Sequence, residues 1–247
     1  MIADRTSSNK AVAVDIGCGH GFSVYKLLKN YHVIGVDINY KNVQIARKRF
    51  DVIICVMDAE KLAIKNDSVQ YIEMSDVVEH VGDAPLCLAE GARVLRAGGW
   101  ATISVPTARS ERLLLRLRPS YFDEIGHKNI FEEEEIKYLI TTSQLKIKKM
   151  IKKDFLVIVE MIATFLVSSK KRETDQTSIH SWREHKILFL LHVFLIHFDK
   201  IIWDTPIWWS PFVIITIPIG YIINAIGNKI IPKSVTFFAV KHNELDR

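Results

Sequence analysis

The chain has 247 residues, 49% of them hydrophobic, with 33 Lys+Arg against 28 Asp+Glu, so it is long and apolar enough to bury a core without disulfides or a structural metal. Cys18, Cys55 and Cys87 show no C-x-x-C spacing, which excludes a disulfide framework and a cysteine zinc site and points to a reducing compartment. The net charge of +5 is dispersed, and clusters such as Lys170-Lys171-Arg172 lack the interleaved aromatics of a nucleic-acid groove, so no nucleic-acid partner is expected.

In chain order, residues 11–16 are a short apolar run ending at a glycine cluster, the pattern of a buried parallel strand. Residues 22–30 place Val24, Leu27 and Leu28 at helical spacing, residues 33–36 form a second strand ending in Asp37, and residues 41–49 form a second helix. A third strand is expected over 51–57, a fourth over 69–74, and a helix over 84–96 that Ala97-Gly98-Gly99 breaks. Residues 100–105 read as a fifth strand stopped by Pro106, Glu132 to Glu135 as an acidic helix start, and residues 234–241 as a final strand. Strands alternating with helices imply a mainly parallel, doubly wound α/β sheet, whose ligands sit at the carboxyl ends of the strands. No charged segment followed by an apolar run opens the chain, so the expectation is a protein that is not secreted.

The sharpest motif is Val14-Asp15-Ile16-Gly17-Cys18-Gly19-His20-Gly21, a strand running into G-x-G-x-G and then a helix. Glycines there let the backbone turn tightly and approach a ligand closely. A dinucleotide fingerprint would put its third glycine where Phe22 stands, so a nicotinamide oxidoreductase is the weaker reading. Asp37 follows Gly17 by 20 residues, at the end of the second strand, where a carboxylate can take both ribose hydroxyls.

These residues resemble the class I S-adenosylmethionine-dependent methyltransferases, in their small-molecule and lipid branch, over residues 11–150. Val36-Asp37-Ile38 is similar to the family's ribose-binding strand end, and Met57-Asp58-Ala59-Glu60-Lys61-Leu62 to its adenine-binding segment. Ser75-Asp76-Val77-Val78-Glu79-His80-Val81 resembles the post-strand x-x-L-E-H-V pattern, and Leu95-Arg96-Ala97-Gly98-Gly99 the turn before the fifth strand, with Ala97 in place of proline. The resemblance implies a Rossmann-like, seven-stranded sheet in which residues 145–152 are the sixth strand and 234–241 the seventh, antiparallel one. It implies S-adenosyl-L-methionine as cofactor, held by Asp15, Gly17, Gly19, Gly21, Asp37, Ile38, Asp58, Ala59 and Ser75. Only ten residues precede the first strand, so the helix that covers the acceptor in many members is expected to be short or missing.

The sulfonium methyl of that cofactor is already electrophilic, so the enzyme mainly aligns the nucleophile, and a hydroxyl acceptor gains from a base. The candidates are His127, Asp76 and His80. His127 lies in a segment resembling the loop after the fifth strand where small-molecule members place a His before an aromatic residue. No metal is expected, although Asp76, Glu79 and His80 resemble the acidic and His cluster with which some relatives hold a divalent cation. The fourth strand lacks the Asp-Pro-Pro-aromatic ending of enzymes that methylate base or amide amino groups, which disfavours that acceptor class.

The composition changes after residue 154. Residues 187–227 hold only Asp199, Lys200 and Asp204 as charges, with Trp203, Trp208 and Trp209 near the middle. The expected domains are a methyltransferase core over 1–154, a mainly helical apolar insertion over 155–233, and the last strand and tail over 234–247. A helix over 187–203 would rise only about 25 Å, short of the ~30 Å hydrocarbon core. A re-entrant or interfacial hairpin therefore fits better than two spans, with the tryptophans as anchors. Lys170, Lys171, Arg172, Arg183 and Lys186 before it, and Lys229 and Lys233 after it, place both flanks on the cytoplasmic side. The bland alternative is an apolar subdomain packed on itself or on a second copy as a homodimer. His192 and His197 are five apart, the wrong spacing for paired ligands on one helical face. The sequence thus reads as a methyltransferase acting on a small-molecule or lipid-linked acceptor at the cytoplasmic membrane face, most readily by O-methylation. The alternative is a non-catalytic cofactor-binding subunit that recruits or activates a membrane partner.

Overall fold

The computed structural model describes residues 10–155, 157–159, 161–162 and 222–242. The sequence features assigned above to residues 163–221, including Trp203, Trp208, Trp209, His192 and His197, lie outside the described residues. The strands β1 (Ala11–Ile16), β2 (Tyr31–Asp37), β3 (Ile53–Val56), β4 (Val69–Ser75), β5 (Leu95–Pro106), β6 (Leu145–Lys153) and β7 (Ser234–Lys241) form one sheet in the order β3-β2-β1-β4-β5-β7-β6. Around it run α1 (Phe22–Leu27), α2 (Tyr40–Arg49), α3 (Ala84–Val94), α4 (Ala108–Leu117), α5 (Tyr121–Ile125) and α6 (Glu133–Thr142). This is the doubly wound sheet that the alternation of apolar runs predicts, with the seven strands that the resemblance implies.

The strands β3, β2, β1, β4 and β5 pair in parallel. The β7 strand runs against its neighbours. The Lys241 ammonium at its end donates to the Leu95 carbonyl at the start of β5, and the His242 N–H just beyond it donates to the carbonyl of Gln144, just before β6. One face of the central strands is apolar: Val14, Ile16, Ile72, Met74 and Ile103 are fully buried. Gly91 lets α3 lie close to them, since a Cβ there would stand 3.0 Å from Ile72 Cδ1. The opposite face carries a polar row across three strands in register, Asp15, Glu73 and Thr102.

Several boundaries differ from the sequence reading, β2 and β3 by about two residues and α1 and β5 by more. The α1 helix stops at Leu27 and closes with a turn in which the Asn30 N–H donates to the Leu27 carbonyl. The Ala97-Gly98-Gly99 triplet does not end α3, because Leu95 is already extended and pairs with Val69. Val94 and Leu95 are both fully buried, so the chain enters the sheet as soon as the helix ends. The triplet is then an irregularity between the Val69–Leu95 and Tyr71–Trp100 pairs, taken up where Gly98 adopts a left-handed φ of 71°. Past β5, where the sequence suggested a loop, the chain forms α4 and α5.

The chain divides into two compact units. The first comprises Met1–Pro106, His127–Ile151 and Thr236–Arg247, and the second Thr107–Gly126 and Lys152–Val235. In the described part of the second unit, Leu114, Tyr121 and Ile158 form a small core joined by Met161, Ile162 and Ile231.

Candidate active site

The glycine loop leaves β1 and is fastened to β2: the N–H groups of Gly17 and Cys18 both donate to the Val36 carbonyl, at 2.8 and 2.9 Å. At the end of β2 the Asp37 carboxylate accepts the Gly19 N–H at 2.8 Å and the Asn39 N–H at 2.7 Å. The Asn42 amide reaches it from the first turn of α2. The acid and the loop therefore form one hydrogen-bonded structure. The three glycines are needed for different reasons. A Cβ on Gly17 would collide with Val77, and one on Gly21 with the Phe50 ring. Gly19 adopts φ 51°, and a Cβ there would meet nothing within 4 Å. Its surroundings are open space of the kind a ligand backbone fills.

Asp15 is almost fully buried behind this loop, and its Oδ2 has no hydrogen-bond partner. Burial, and next the charge of Glu73 beside it, push its carboxyl up to about 8. Ile38 follows Asp37 and is exposed. The Asp58-Ala59-Glu60 turn hangs from the same place, because the Met57 N–H donates to the Asp37 carbonyl. Asp58 fixes that turn by accepting the Glu60 N–H at 2.9 Å. Ser75, at the end of β4, donates to Glu73 at 2.5 Å. Asp76 follows in a left-handed conformation, φ 54°, with its N–H on the Ser104 carbonyl. Every residue that the resemblance assigns to the cofactor thus stands at or just beyond the carboxyl end of β1, β2, β3 or β4.

A second constellation lies on the segment after β4. The Glu79 side chain is 1% exposed and its carboxylate is 3.9 Å from His127 Nε2, while the His80 ring meets the His127 ring edge-on at 4.6 Å. The loop carrying His127 is held there by its backbone: the Lys128 and Asn129 N–H groups donate to the Glu79 carbonyl, and the Asn129 amide to the Val81 carbonyl. Ligand atoms of Glu79, His80 and His127 all lie within 4.8 Å of one another. The sequence grouped Asp76 with Glu79 and His80. Among the described residues the third member is His127, because Asp76 at the strand end is exposed.

Glu60 has a role that motif reading did not bring out. Its carboxylate accepts the N–H groups of Gly82 and Asp83, at 2.7 and 3.0 Å, and so ties the turn after β3 to the segment after β4. The signal available was a second acid two residues after Asp58, but only the fold shows what it reaches.

Residues 14–103 match the family model described as a methyltransferase domain. The chain is 27% identical over 150 residues to a ubiquinone biosynthesis O-methyltransferase of Bartonella bacilliformis, covering 54% of this chain and 59% of that protein. It therefore spans about three fifths of the length of that curated relative. Among solved structures it is similar to an S-adenosylmethionine-dependent methyltransferase of Thermotoga maritima, described as a possible histamine N-methyltransferase, with 26% identity, TM-score 0.52, and 60% and 70% of the two chains covered. A putative methyltransferase of Bacillus halodurans shares the fold at 13% identity, TM-score 0.60, over 96% and 94% of the two chains. The residues present fit the cofactor of such proteins: the open ground over Gly19, the Asp37 carboxylate aimed at the loop, and the buried Asp15 oxygen all offer what a polar, nucleoside-bearing ligand needs. Residues 14–103 thus carry a methyltransferase domain, and the chain is similar in sequence and fold to S-adenosylmethionine-dependent methyltransferases, whose cofactor is S-adenosylmethionine.

Proposed function

We propose that the chain transfers a methyl group to a hydroxyl of a hydrophobic or lipid-linked small acceptor at the cytoplasmic face of a membrane. The observation that carries the hydroxyl is the His127–Glu79 pair beside the end of β4. When bound, S-adenosylmethionine supplies a methyl carbon already activated by its sulfonium, which leaves alignment and removal of the acceptor proton to the protein. The buried Glu79 carboxylate, 3.9 Å from His127 Nε2, orients the imidazole, so Nδ1 is the atom that takes the hydroxyl proton. The edge-on His80 ring and the backbone bonds to Glu79 hold the imidazole in place. Similarity to a ubiquinone biosynthesis O-methyltransferase supports oxygen as the acceptor atom. The apolar sequence of residues 187–227 supports a hydrophobic acceptor and a membrane location.

The test is methyl transfer from labelled cofactor into a membrane lipid extract, with His127→Ala alongside. Turnover should fall roughly 10²–10⁴-fold in the variant while cofactor affinity stays the same. A loss below tenfold would demote His127 to a packing role. A second reading rests on the same geometry, since a Glu-His-His set within 4.8 Å is also a donor set for a divalent cation. Dialysis against a chelator separates the two. Turnover lost and then restored by added cation assigns the cluster to a metal, and turnover unchanged leaves it to proton transfer.

A further inference from the structure

Glu60 joins two parts of the first unit that lie more than twenty positions apart in the chain. One is the turn after β3, which the resemblance gives to the cofactor through Asp58 and Ala59. That turn is closed on itself: the Glu60 N–H donates to Asp58 Oδ1 at 2.9 Å and the Lys61 N–H to the Asp58 carbonyl at 3.0 Å. It therefore moves as one piece, and the Met57 N–H fastens its start to the Asp37 carbonyl at the end of β2. The other part is the segment 79–83, which carries Glu79 and His80 and leads into α3. Its first half is held by the loop of His127, where the Lys128 and Asn129 N–H groups donate to the Glu79 carbonyl and the Asn129 amide to the Val81 carbonyl. Its second half is held by Glu60, one carboxylate oxygen of which accepts the Gly82 N–H at 2.7 Å and the Asp83 N–H at 3.0 Å.

The start of α3 does not itself require Glu60. Asp83 is the N-cap of that helix, and its own side chain accepts the Leu86 N–H at 2.9 Å. What Glu60 adds is a bond from the Asp58 turn to the backbone that bears Glu79. The acids of both parts meet at one place. The Cys87 thiol, fully buried in the first turn of α3, is pushed up to about 12 by burial first and then by the charges of Glu60, Asp58, Glu79 and Asp83. The segment that Glu60 holds has only a short way to travel. Glu79 Oε1 lies 3.9 Å from His127 Nε2, about 1 Å beyond a hydrogen bond. A catalytic base works at full rate only when it is placed to within a fraction of that distance.

We propose that Glu60 is a positioning residue: it passes cofactor binding at the Asp58 turn on to the segment 79–83 and so closes Glu79 on His127, which aligns the base when the methyl donor is in place. The inference rests on the proposed function, in which His127 takes the acceptor proton. The test follows the His127 imidazole nitrogens by NMR in the full-length chain, isotope-labelled at histidine and kept in a chelator, as S-adenosylhomocysteine is added. His127→Ala identifies the resonances. In the parent chain the Nε2 resonance should move as the ligand saturates. In Glu60→Ala that movement should shrink roughly threefold or more. Ligand affinity, measured by calorimetry, should weaken by no more than about tenfold, the coupling that the variant gives up. Glu60→Gln keeps a side-chain oxygen for both N–H groups and should keep the movement. Asn129→Ala cuts the same path at its other end, away from the Asp58 turn, and should also shrink the movement, which decides the matter if Glu60→Ala does not fold. An equal movement in the parent chain and both alanine variants, or none in a parent chain that has bound the ligand, would overturn the coupling. A loss of affinity well beyond tenfold in Glu60→Ala would make Glu60 a support of the cofactor turn alone and overturn it as well. A parent chain that binds no S-adenosylhomocysteine would sink the cofactor assignment and this inference together. Failure of the base assignment shows instead in the turnover of His127→Ala, a separate measurement.

Discussion

The Asp15 carboxyl keeps its proton in the folded chain up to about pH 8, because burial and then the Glu73 charge disfavour its ionised form, whereas in the unfolded chain it ionises in the ordinary carboxylate range. Between those two values the folded state holds the extra proton, so stability falls as pH rises through that window. Asp15→Asn removes the titration. The thermal midpoint of the parent chain should drop relative to that variant from about pH 5 to about pH 8, and parallel curves would show that the carboxyl ionises freely in the fold. At the neighbouring positions the geometry separates two effects. Gly19→Val fills open space with a branched side chain at a left-handed φ, so S-adenosylhomocysteine binding by calorimetry should be nearly abolished. Asp37→Ala removes the acceptor that steadies the Gly19 N–H as well as a ligand contact, and should weaken the same binding by roughly 1–3 kcal/mol.

The α3 helix secures the segment after β3 through one side chain. Arg93 donates to the Leu62 and Ile64 carbonyls, to the Asn66 side chain and to both oxygens of Glu90, while Glu90 also accepts the Leu62 N–H. The hydrogen bond from Arg93, more than any other cause, holds the Glu90 carboxyl below the usual carboxylate range. A lysine carries the charge but not the planar fork. Arg93→Lys should therefore cost about 1–3 kcal/mol in urea unfolding and weaken cofactor binding, and an unchanged denaturation midpoint would show that the turn holds itself. Elements of this kind were legible only as elements. The strands and the glycine loop could be read because apolar runs and turn residues are local signals, and β7 has the predicted bounds. The Glu79–His127 meeting could not be read, since it depends on backbone bonds between two loops far apart in the chain. The start of β5 does not follow its glycines, because the burial of Val94 and Leu95 draws the chain into the sheet ahead of them.

For the molecule as a whole, the division into units carries a direct expectation. Asp15, Gly19, Asp37 and Asp58 all belong to the first unit, while residues 222–232 supply backbone partners for α4 in the second. A chain in which residues 168–221 are replaced by a short Gly/Ser linker should bind S-adenosylhomocysteine within about twofold of the parent chain, measured by calorimetry. A large loss would mean that the exchanged residues shape the cofactor site. The placement of β7 between β5 and β6 bears on how the chain reaches its fold. The β5 and β6 strands come earlier in the chain than the strand that must lie between them, and Ser234, where β7 begins, bonds to Asp154, 80 positions before it. Until that distant segment arrives, both strands present unpaired backbone edges. Closing so long a loop is slow, and open edges of this kind recruit other chains. A chain that lacks the segment from Ser234 onward would therefore be held back from completing the sheet and prone to edge-to-edge aggregation, which makes the arrival of β7 the step that protects the protein.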